Sequence, residues 1–222
     1  MYWQLILITL AAYLLGSINP AYLIAKAKGF DIRQRGSKNA GASNALILMG
    51  KKVALISALF DIFKAFLMVT LAQCFVPTLP YAGAFAGVAC ILGHVFPVFM
   101  RFRGGKGLAC LGGFVLAYDY RIFLILFTLE LILVLIVDYI CVVPISASIL
   151  FPLIYHIMTQ DLIGTGVLGI MTFVILYKHF ENIKRIQQGT EAHFSFLWKR
   201  NQEVERLQSV SDDSAAKEKE DS

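Results

Sequence analysis

The seven residues from Arg101 to Gly107 combine three basic side chains with three glycines, directly after an apolar run. Glycine allows backbone N–H groups to turn toward an anion because no Cβ stands in the way. A lysine between two glycines adds a mobile positive charge. This chemistry predicts a phosphate-binding turn at a membrane surface, and a basic loop that only orients the chain is the alternative. The basic residues are Arg101, Arg103 and Lys106, and the glycines are Gly104, Gly105 and Gly107.

A second polar run, residues 35–44, is rich in small side chains that form hydrogen bonds. Ser37 and Ser43 supply hydroxyl groups, and Asn39 and Asn44 supply amides. Such a loop can wrap a small phosphate that carries several hydroxyls, although a solvated linker has a similar composition. We therefore treat these four residues as candidate substrate contacts.

His179 and Asn182 lie three residues apart after the last apolar run, so on a helix they share one face. A histidine in this position can orient a hydroxyl or accept its proton, since its ordinary pKa is close to neutrality. The alternative is a polar residue that only flanks a membrane span. We predict that both residues belong to the reactive site.

Three charged residues fall inside apolar runs, where a charge must be paired or must face a polar cavity. Asp61 and Lys64 are spaced to share a helix face, and we interpret them as a structural ion pair rather than as substrate contacts. Glu130 is interpreted as facing a neighbouring helix and is given no role.

The elements that must position these residues are membrane-spanning helices. The chain has 222 residues, 58% of them hydrophobic, and a mean hydropathy of +0.68, whereas soluble domains are about 45–50% apolar. We predict an all-α polytopic membrane protein with about seven transmembrane helices, one of them short. The predicted spans are Trp3–Ala25, Val53–Val76, Tyr81–Met100, Gly107–Tyr118, Ile122–Val137, Pro144–Met158 and Leu162–Tyr177.

The basic residues predict the orientation of these spans, because loops rich in Lys and Arg stay in the cytoplasm. Eighteen of the 20 Lys and Arg residues fall in segments 26–52, 101–106 and 178–222. This asymmetry predicts an N-terminus outside, a C-terminus in the cytoplasm and all the polar runs on the cytoplasmic face. Residues 1–202 then form one membrane domain, and residues 203–222 form a disordered, polar and acidic tail.

Composition also argues against other classes of protein. The net charge of +5 comes from basic residues beside apolar runs, so no nucleic acid partner is expected. The four cysteines stand singly in apolar surroundings, so neither disulfides nor a metal site is expected.

Five motifs, taken in order, resemble the bacterial acyl-phosphate:glycerol-3-phosphate acyltransferase family of the PlsY type. The resemblance covers nearly the whole chain apart from the acidic tail, and the order of the motifs makes it specific. The motifs are Gly16-Ser17-x-x-Pro20, Gly36-Ser37-x-Asn39-x-Gly41-Ala42-x-Asn44, Asp61-x-x-Lys64, Gly93-His94-x-x-Pro97-x-Phe99-x-x-Phe102-x-Gly104-Gly105-Lys106-Gly107 and His179-x-x-Asn182-Ile183-x-Arg185.

The resemblance implies a seven-span enzyme of the bacterial inner (cytoplasmic) membrane that uses no cofactor and has its active site on the cytoplasmic face. It implies transfer of a fatty acyl group from acyl phosphate to the sn-1 hydroxyl of glycerol 3-phosphate. The product, lysophosphatidic acid, enters phospholipid biosynthesis. The expected partners are thus acyl phosphate, glycerol 3-phosphate and membrane lipid. The implied catalytic residues are His179, Asn182 and Lys106, and the implied substrate-binding residues are Ser37, Asn39, Ser43, Asn44, Arg101, Arg103, Gly104, Gly105, Gly107 and Cys141.

The chain departs from the family pattern at Ile47, where an arginine is usual, and at Cys141, where a serine is usual. Isoleucine cannot hydrogen-bond a phosphate, and a thiol is a weak donor. We therefore expect weaker glycerol-phosphate binding or an altered acceptor, and an inactive member of the family is the less favoured outcome. A small membrane anion transporter is the alternative from another class. Candidate replacements are Arg33, Arg35 and Lys38 for the missing charge and Ser146 for the missing hydroxyl.

Overall fold

The computed structural model describes residues 2–197, 199 and 206. Within these residues the chain forms nine α-helices, three short 3-10 turns and no strand, which confirms the all-α class. The predicted tail lies outside the described residues, apart from Arg206. The helices are α1 Tyr2–Gly16, α2 Pro20–Ala27, α3 Ala42–Met49, α4 Lys51–Phe75, α5 Ala82–Val95, α6 Leu108–Tyr118, α7 Tyr120–Val137, α8 Val142–Thr159 and α9 Leu162–Gln187, and the 3-10 turns are Ile32–Gln34, Val98–Met100 and Phe194–Leu197.

Six helical segments in the described part of the chain are long and apolar enough to cross a membrane, with α1 and α2 together counting as one. Helix α6 is shorter, with 11 residues, or about 16 Å of helix against a hydrocarbon layer of about 30 Å. It still reaches the far side of the bundle, because Tyr118 at its end packs on Tyr155 near the end of α8, with ring centroids 5.2 Å apart. The predicted arrangement of about seven spans is therefore confirmed, with α6 as the short one.

Close helix packing depends on glycines at the contacts. A Cβ on Gly93 of α5 would lie 2.1 Å from the carbonyl oxygen of Tyr13 in α1. A Cβ on Gly113 of α6 would lie 2.1 Å from the carbonyl oxygen of Ile62 in α4. Small residues allow helix backbones to approach in this way inside a membrane. These contacts fix α5 and α6, and with them the loop 101–107 between the two helices.

The first span is broken between α1 and α2, and Asn19 organises the break. Its Oδ1 accepts a hydrogen bond from the backbone N–H of Tyr22 at 2.9 Å and so caps α2, which begins at Pro20. Its Nδ2 donates to the carbonyl of Ala40 at 2.7 Å. The broken helix therefore holds the polar run 35–44 against the bundle.

Lys64 satisfies backbone groups that the break leaves free. Its Nζ donates to the carbonyl oxygens of Gly16 and Ile18, each at 2.8 Å, and forms an ion pair with Asp61 at 2.7 Å. Both side chains of the pair are buried. The predicted structural ion pair is therefore confirmed, and its role is to tie α4 to the broken first span.

A cluster of possible metal ligands surrounds this pair. Ligand atoms of Asp61, His94 and Cys110 all lie within 4.8 Å of one another. However, the Lys64 ammonium already lies 2.7 Å from the Asp61 carboxylate, and His94 Nδ1 lies 3.2 Å from it. A carboxylate paired in this way needs no further cation, so we interpret the cluster as structural.

Candidate active site

A polar cleft of about 410 Å³ opens at one end of the bundle. Its walls come from the loop after α2, the loop between α5 and α6, and the last turns of α9. Six basic side chains face it, together with two acidic ones. The cleft is lined by Asp31, Arg33, Gln34, Ser37, Lys38, Asn39, Arg103, Gly104, Lys106, Lys178, Glu181 and Arg185.

One of the two acids is already neutralised. The guanidinium of Arg33 bonds both carboxylate oxygens of Asp31, at 2.9 and 2.7 Å, and these hydrogen bonds lower the pKa of Asp31 to about 2. The other acid, Glu181, lies 3.5 Å from Lys184 at the surface. The cleft is therefore strongly positive, and its volume lies within the range of small-molecule sites, about 300–1,000 Å³. It is suited to a small anion with more than one negative charge.

Lys106 is fixed by a chain of hydrogen bonds to the end of α9. Its Nζ donates to Oδ1 of Asn182, whose Nδ2 donates to Oε1 of Glu191 at 2.5 Å. The other carboxylate oxygen of Glu191 accepts from Nε of Arg185 at 2.6 Å. Burial lowers the pKa of Lys106 to about 8, and the nearby charge of Arg185 acts in the same direction. Lys106 thus keeps its charge at neutral pH while having little water around it.

His179 is buried one turn before Asn182 on α9, but it is not part of the cleft lining. Its Nδ1 lies 2.8 Å from the carbonyl oxygen of Ile175. A carbonyl only accepts, so Nδ1 carries the hydrogen and Nε2 is the nitrogen with a free lone pair. This arrangement fixes the tautomer that accepts a proton through Nε2.

The glycine-rich turn is built differently from the sequence prediction. The N–H groups of Gly104 and Gly105 donate to the carbonyls of Val95 and His94, each at 3.1 Å, so they are not free to bind an anion. A Cβ on Gly105 would lie 2.1 Å from Nε2 of His94. These two glycines allow the turn to pack on α5, which corrects the prediction that their N–H groups cradle a phosphate.

Gly107 has a different reason to be glycine, because its φ of +91° is strained for other residues. It is the N-cap of α6, and the first turn of a helix has N–H groups without acceptors inside the helix. Lys106 directly precedes these groups. The unpaired backbone N–H groups closest in sequence to the Lys106 ammonium are therefore those of the first turn of α6.

The polar run 35–44 contributes unequally to the cleft. Ser37 and Asn39 line it. Ser43 is exposed on α3 and does not line it. The predicted contact through Ser43 therefore has no counterpart in the cleft wall.

Asn44 is fully buried and holds the loop together instead of facing the cleft. Its Nδ2 lies 2.9 to 3.0 Å from the carbonyl oxygens of Ile32, Arg35 and Asn39, and its Oδ1 accepts from the N–H of Ser37 at 2.9 Å. Because the amide is occupied by the backbone, Asn44 positions Ser37 and Asn39 rather than touching substrate.

The remaining candidates are divided between the cleft and its surroundings. Arg103 lines the cleft, whereas Arg101 is exposed and does not. Cys141 is buried just before α8, and burial raises the pKa of its thiol. Ile47 is exposed on α3, outside the cleft. Ser146 bonds Glu130 at 2.6 Å, so it does not supply the missing hydroxyl to the cleft.

Sequence reasoning named Arg33 and Lys38 only as replacements, and both line the cleft. It gave no role to Lys178 or Glu191. The position of Lys178 beside His179 is a signal that was available. Glu191 gives no such signal, because it follows the end of α9 and reaches Asn182 only after the chain has turned back.

Known proteins of one family are similar to this chain over most of its length. The glycerol-3-phosphate acyltransferase family profile matches residues 6–189. A glycerol-3-phosphate acyltransferase from Legionella pneumophila is 36% identical over 192 residues, which are 86% of this chain and 69% of that protein. A solved structure of PlsY, an integral membrane glycerol 3-phosphate acyltransferase in its glycerol 3-phosphate form, superimposes with a TM-score of 0.81 at 34% identity, over 87% of this chain and 97% of that one. Its lysophosphatidic acid form superimposes at 0.78 and 33% identity over the same shares.

Proposed function

The chain belongs to the glycerol-3-phosphate acyltransferase family, and from this premise we propose that it transfers a fatty acyl group from acyl phosphate to the sn-1 hydroxyl of glycerol 3-phosphate. The product is lysophosphatidic acid. The observation that carries the proposal is the cleft with six basic side chains at the end of a membrane-spanning helix bundle. Both substrates are phosphorylated, and one of them has a long apolar chain that remains in the lipid.

The chemistry requires positioning and charge neutralisation more than a strong nucleophile. Acyl phosphate is already activated because phosphate is a good leaving group. The sn-1 oxygen attacks the acyl carbon, the bond from that carbon to the phosphate oxygen breaks, and inorganic phosphate leaves. Two anions must therefore be held side by side, and a preorganised cation at the departing phosphate stabilises the transition state.

We assign the role of that cation to the ammonium group of Lys106. Its hydrogen bond to Asn182 fixes the position of the ammonium, and burial strengthens its interaction with an anion because little water competes. We assign the departing phosphate to Lys106 and Asn182. Glycerol 3-phosphate is assigned to the other wall of the cleft, where Ser37, Lys38 and Asn39 stand.

We assign His179 the role of orienting the attacking hydroxyl or accepting its proton. Nδ1 is occupied by the carbonyl of Ile175, so Nε2 is the atom that orients the hydroxyl or accepts its proton. The proton then passes to the departing phosphate, which is a stronger base than the ester product. His179 is buried and does not line the cleft. The assignment therefore requires that its Nε2 become accessible when substrate binds.

The direct experiment is acyl transfer by purified protein in detergent. Palmitoyl phosphate and radiolabelled glycerol 3-phosphate are expected to give labelled lysophosphatidic acid, while palmitoyl-CoA in place of the acyl phosphate is expected to give none. Absence of product with both donors would reject the proposal. A transporter would form no product. Asp61 and Lys64, two of the intramembrane charges that a transporter could use, form a structural pair.

We further propose that the protein lies in the inner membrane with the cleft facing the cytoplasm. The support is the distribution of Lys and Arg, which flank the cleft end of the bundle. A reporter fused after Arg200 is expected to be active in the cytoplasm. A periplasmic signal from that fusion would overturn the orientation.

A further inference from the structure

A narrow apolar crevice of about 80 Å³ lies between α6, α7 and α8. No residue lines both spaces, but Leu108 of the crevice is two residues along the chain from Lys106 of the cleft. One of its lining residues is ionisable, namely Glu130 of α7. The apolar lining includes Leu108 and Leu111 from α6, Phe123 and Phe127 from α7, and Val143 and Ala147 from α8.

Glu130 is 95% buried, with an exposed fraction of 5%. Its Oε2 lies 2.6 Å from Oγ of Ser146, while its Oε1 has no hydrogen-bond partner among the described residues. A buried oxygen without a partner is unfavourable, because it has lost its hydration and gained no hydrogen bond. Such an atom in the wall of an apolar crevice points to a ligand that supplies what the protein lacks.

Counting protons shows which kind of partner is lacking. The Ser146 hydroxyl has one hydrogen, yet Oγ lies 2.7 Å from the carbonyl oxygen of Val142 and 2.6 Å from Glu130. That hydrogen can serve Oε2 of Glu130 or the backbone carbonyl of Val142, and neither arrangement supplies a donor to Oε1. Oε1 of Glu130 is therefore an acceptor that lacks a donor.

Water is a poor partner at this place. A buried water needs two to four polar groups, and the lining of the crevice offers the carboxyl of Glu130 among apolar side chains. The crevice is too small for a whole acyl chain but has room for a few methylene groups. Because Leu108 of the crevice is close in the chain to Lys106 of the cleft, the occupant that fits is part of the chain of the acyl donor.

We propose that Glu130 is a specificity-determining residue that accepts a hydrogen bond from a hydroxyl on the acyl chain, so that the enzyme prefers hydroxylated acyl donors. This inference rests on the proposed acyl transfer. A plain chain in the crevice leaves Oε1 unpaired, whereas a chain with a hydroxyl at the right depth pairs it. Glu130 lies seven residues inside the end of α7, which is about 10 Å along the helix, and Ser146 lies four residues inside the start of α8, which is about 6 Å. The hydroxyl is therefore expected in the middle part of a long chain.

The test is competition between donors in a single reaction. Purified protein receives octadecanoyl phosphate together with the same compound carrying a hydroxyl on carbon eight, ten or twelve, and the two products are quantified by mass spectrometry. For the best hydroxyl position we expect kcat/KM to favour the hydroxylated donor about tenfold. Because both donors compete for the same molecules of enzyme, the ratio does not depend on the fraction of protein that is folded.

Two variants locate the effect. Glu130→Leu removes the acceptor, so the preference is expected to fall to about one. Glu130→Gln is the matched control, since its amide can donate to Ser146 and its remaining oxygen still accepts, so the preference should persist. Equal use of both donors by the unmodified protein, or an unchanged preference in Glu130→Leu, would overturn this inference alone. Absence of both products would overturn the proposed function, and this inference would fall with it.

Discussion

Nζ of Lys106 donates a hydrogen bond to Oδ1 of Asn182, although 76 positions separate the two residues in the sequence. The bond joins the loop after α5 to the last membrane helix. The position of the cation is therefore set by how α5 and α9 pack, and Glu191 holds Asn182 from the other side. A single contact thus links the fold of the bundle to the basic cleft.

The first prediction concerns the charge of Lys106. Lys106→Ala is expected to lower kcat/KM by about a hundredfold or more, since a buried phosphate would lose its cation. The assay is acyl transfer in detergent, with the unfolding temperature measured in parallel. Lys184→Ala is the control, because this lysine is about half exposed and does not line the cleft. Transfer at the normal rate by folded Lys106→Ala would exclude Lys106 from the site.

The second prediction concerns pH. The pKa of Lys106 is lowered to about 8, so the ammonium is charged below that pH and loses its proton as the pH rises through it. We expect kcat/KM for glycerol 3-phosphate to fall as the pH rises through about 8. In Lys106→Arg the guanidinium stays charged, so this decline should move to higher pH even if the rate is lower. The same decline in both proteins would assign it to another group.

The third prediction concerns the buried ion pair. Lys64→Met leaves two carbonyl oxygens and the carboxylate of Asp61 without their donor. Removing one partner of a buried pair typically costs about 3–5 kcal/mol, so we expect a clear fall in the unfolding temperature in detergent. Lys52→Met, on the exposed first turn of α4, should leave that temperature nearly unchanged. Equal stability of the two variants would contradict the structural role of Lys64.

The fourth prediction separates two kinds of glycine. In Gly105→Ala the new methyl group would lie 2.1 Å from Nε2 of His94, so the turn must move away from α5, and both activity and stability should fall. Gly169→Ala is the matched control in α9, where a Cβ has no neighbour within 4 Å. Alanine favours helix there, so stability should stay the same or rise slightly. An active, stable Gly105→Ala would show that the close contact with His94 is not needed.

The fifth prediction concerns the two departures from the family pattern. Cys141 is buried close enough to Lys106 for its pKa to respond to that charge, whereas Ile47 is exposed on α3 outside the cleft. We therefore expect Cys141→Ser to lower KM for glycerol 3-phosphate more than Ile47→Arg does. The single variants and the double variant are compared by steady-state kinetics. If the double variant binds glycerol 3-phosphate no better than the parent, these positions do not weaken binding.

The sequence alone determined the class of fold. An apolar run of about 20 residues is long enough to cross the hydrocarbon layer, and this length rule requires no knowledge of neighbouring helices. Pro20, which lies inside the first predicted span, also marks the start of α2 after the break, because proline removes a backbone donor. Even the short span 107–118 was located, although its length alone does not show that it reaches the far side.

The chemistry of the cleft was readable in part. Lys106 and Asn182 were predicted to belong to one site, and the structure joins them directly. The local motif also pointed to Ser37 and Asn39, which line the cleft. Charge and small polar side chains are properties of single residues, so they are visible without the fold.

Tertiary structure decided which polar groups are free. The N–H groups of Gly104 and Gly105 and the amide of Asn44 were expected to contact substrate, but each is taken by a backbone partner. Conversely, Glu191 carries no local signal and still completes the site from beyond the end of α9. A hydrogen-bonding group can serve a ligand only when the protein leaves it unpaired, and pairing across distant segments is settled by packing.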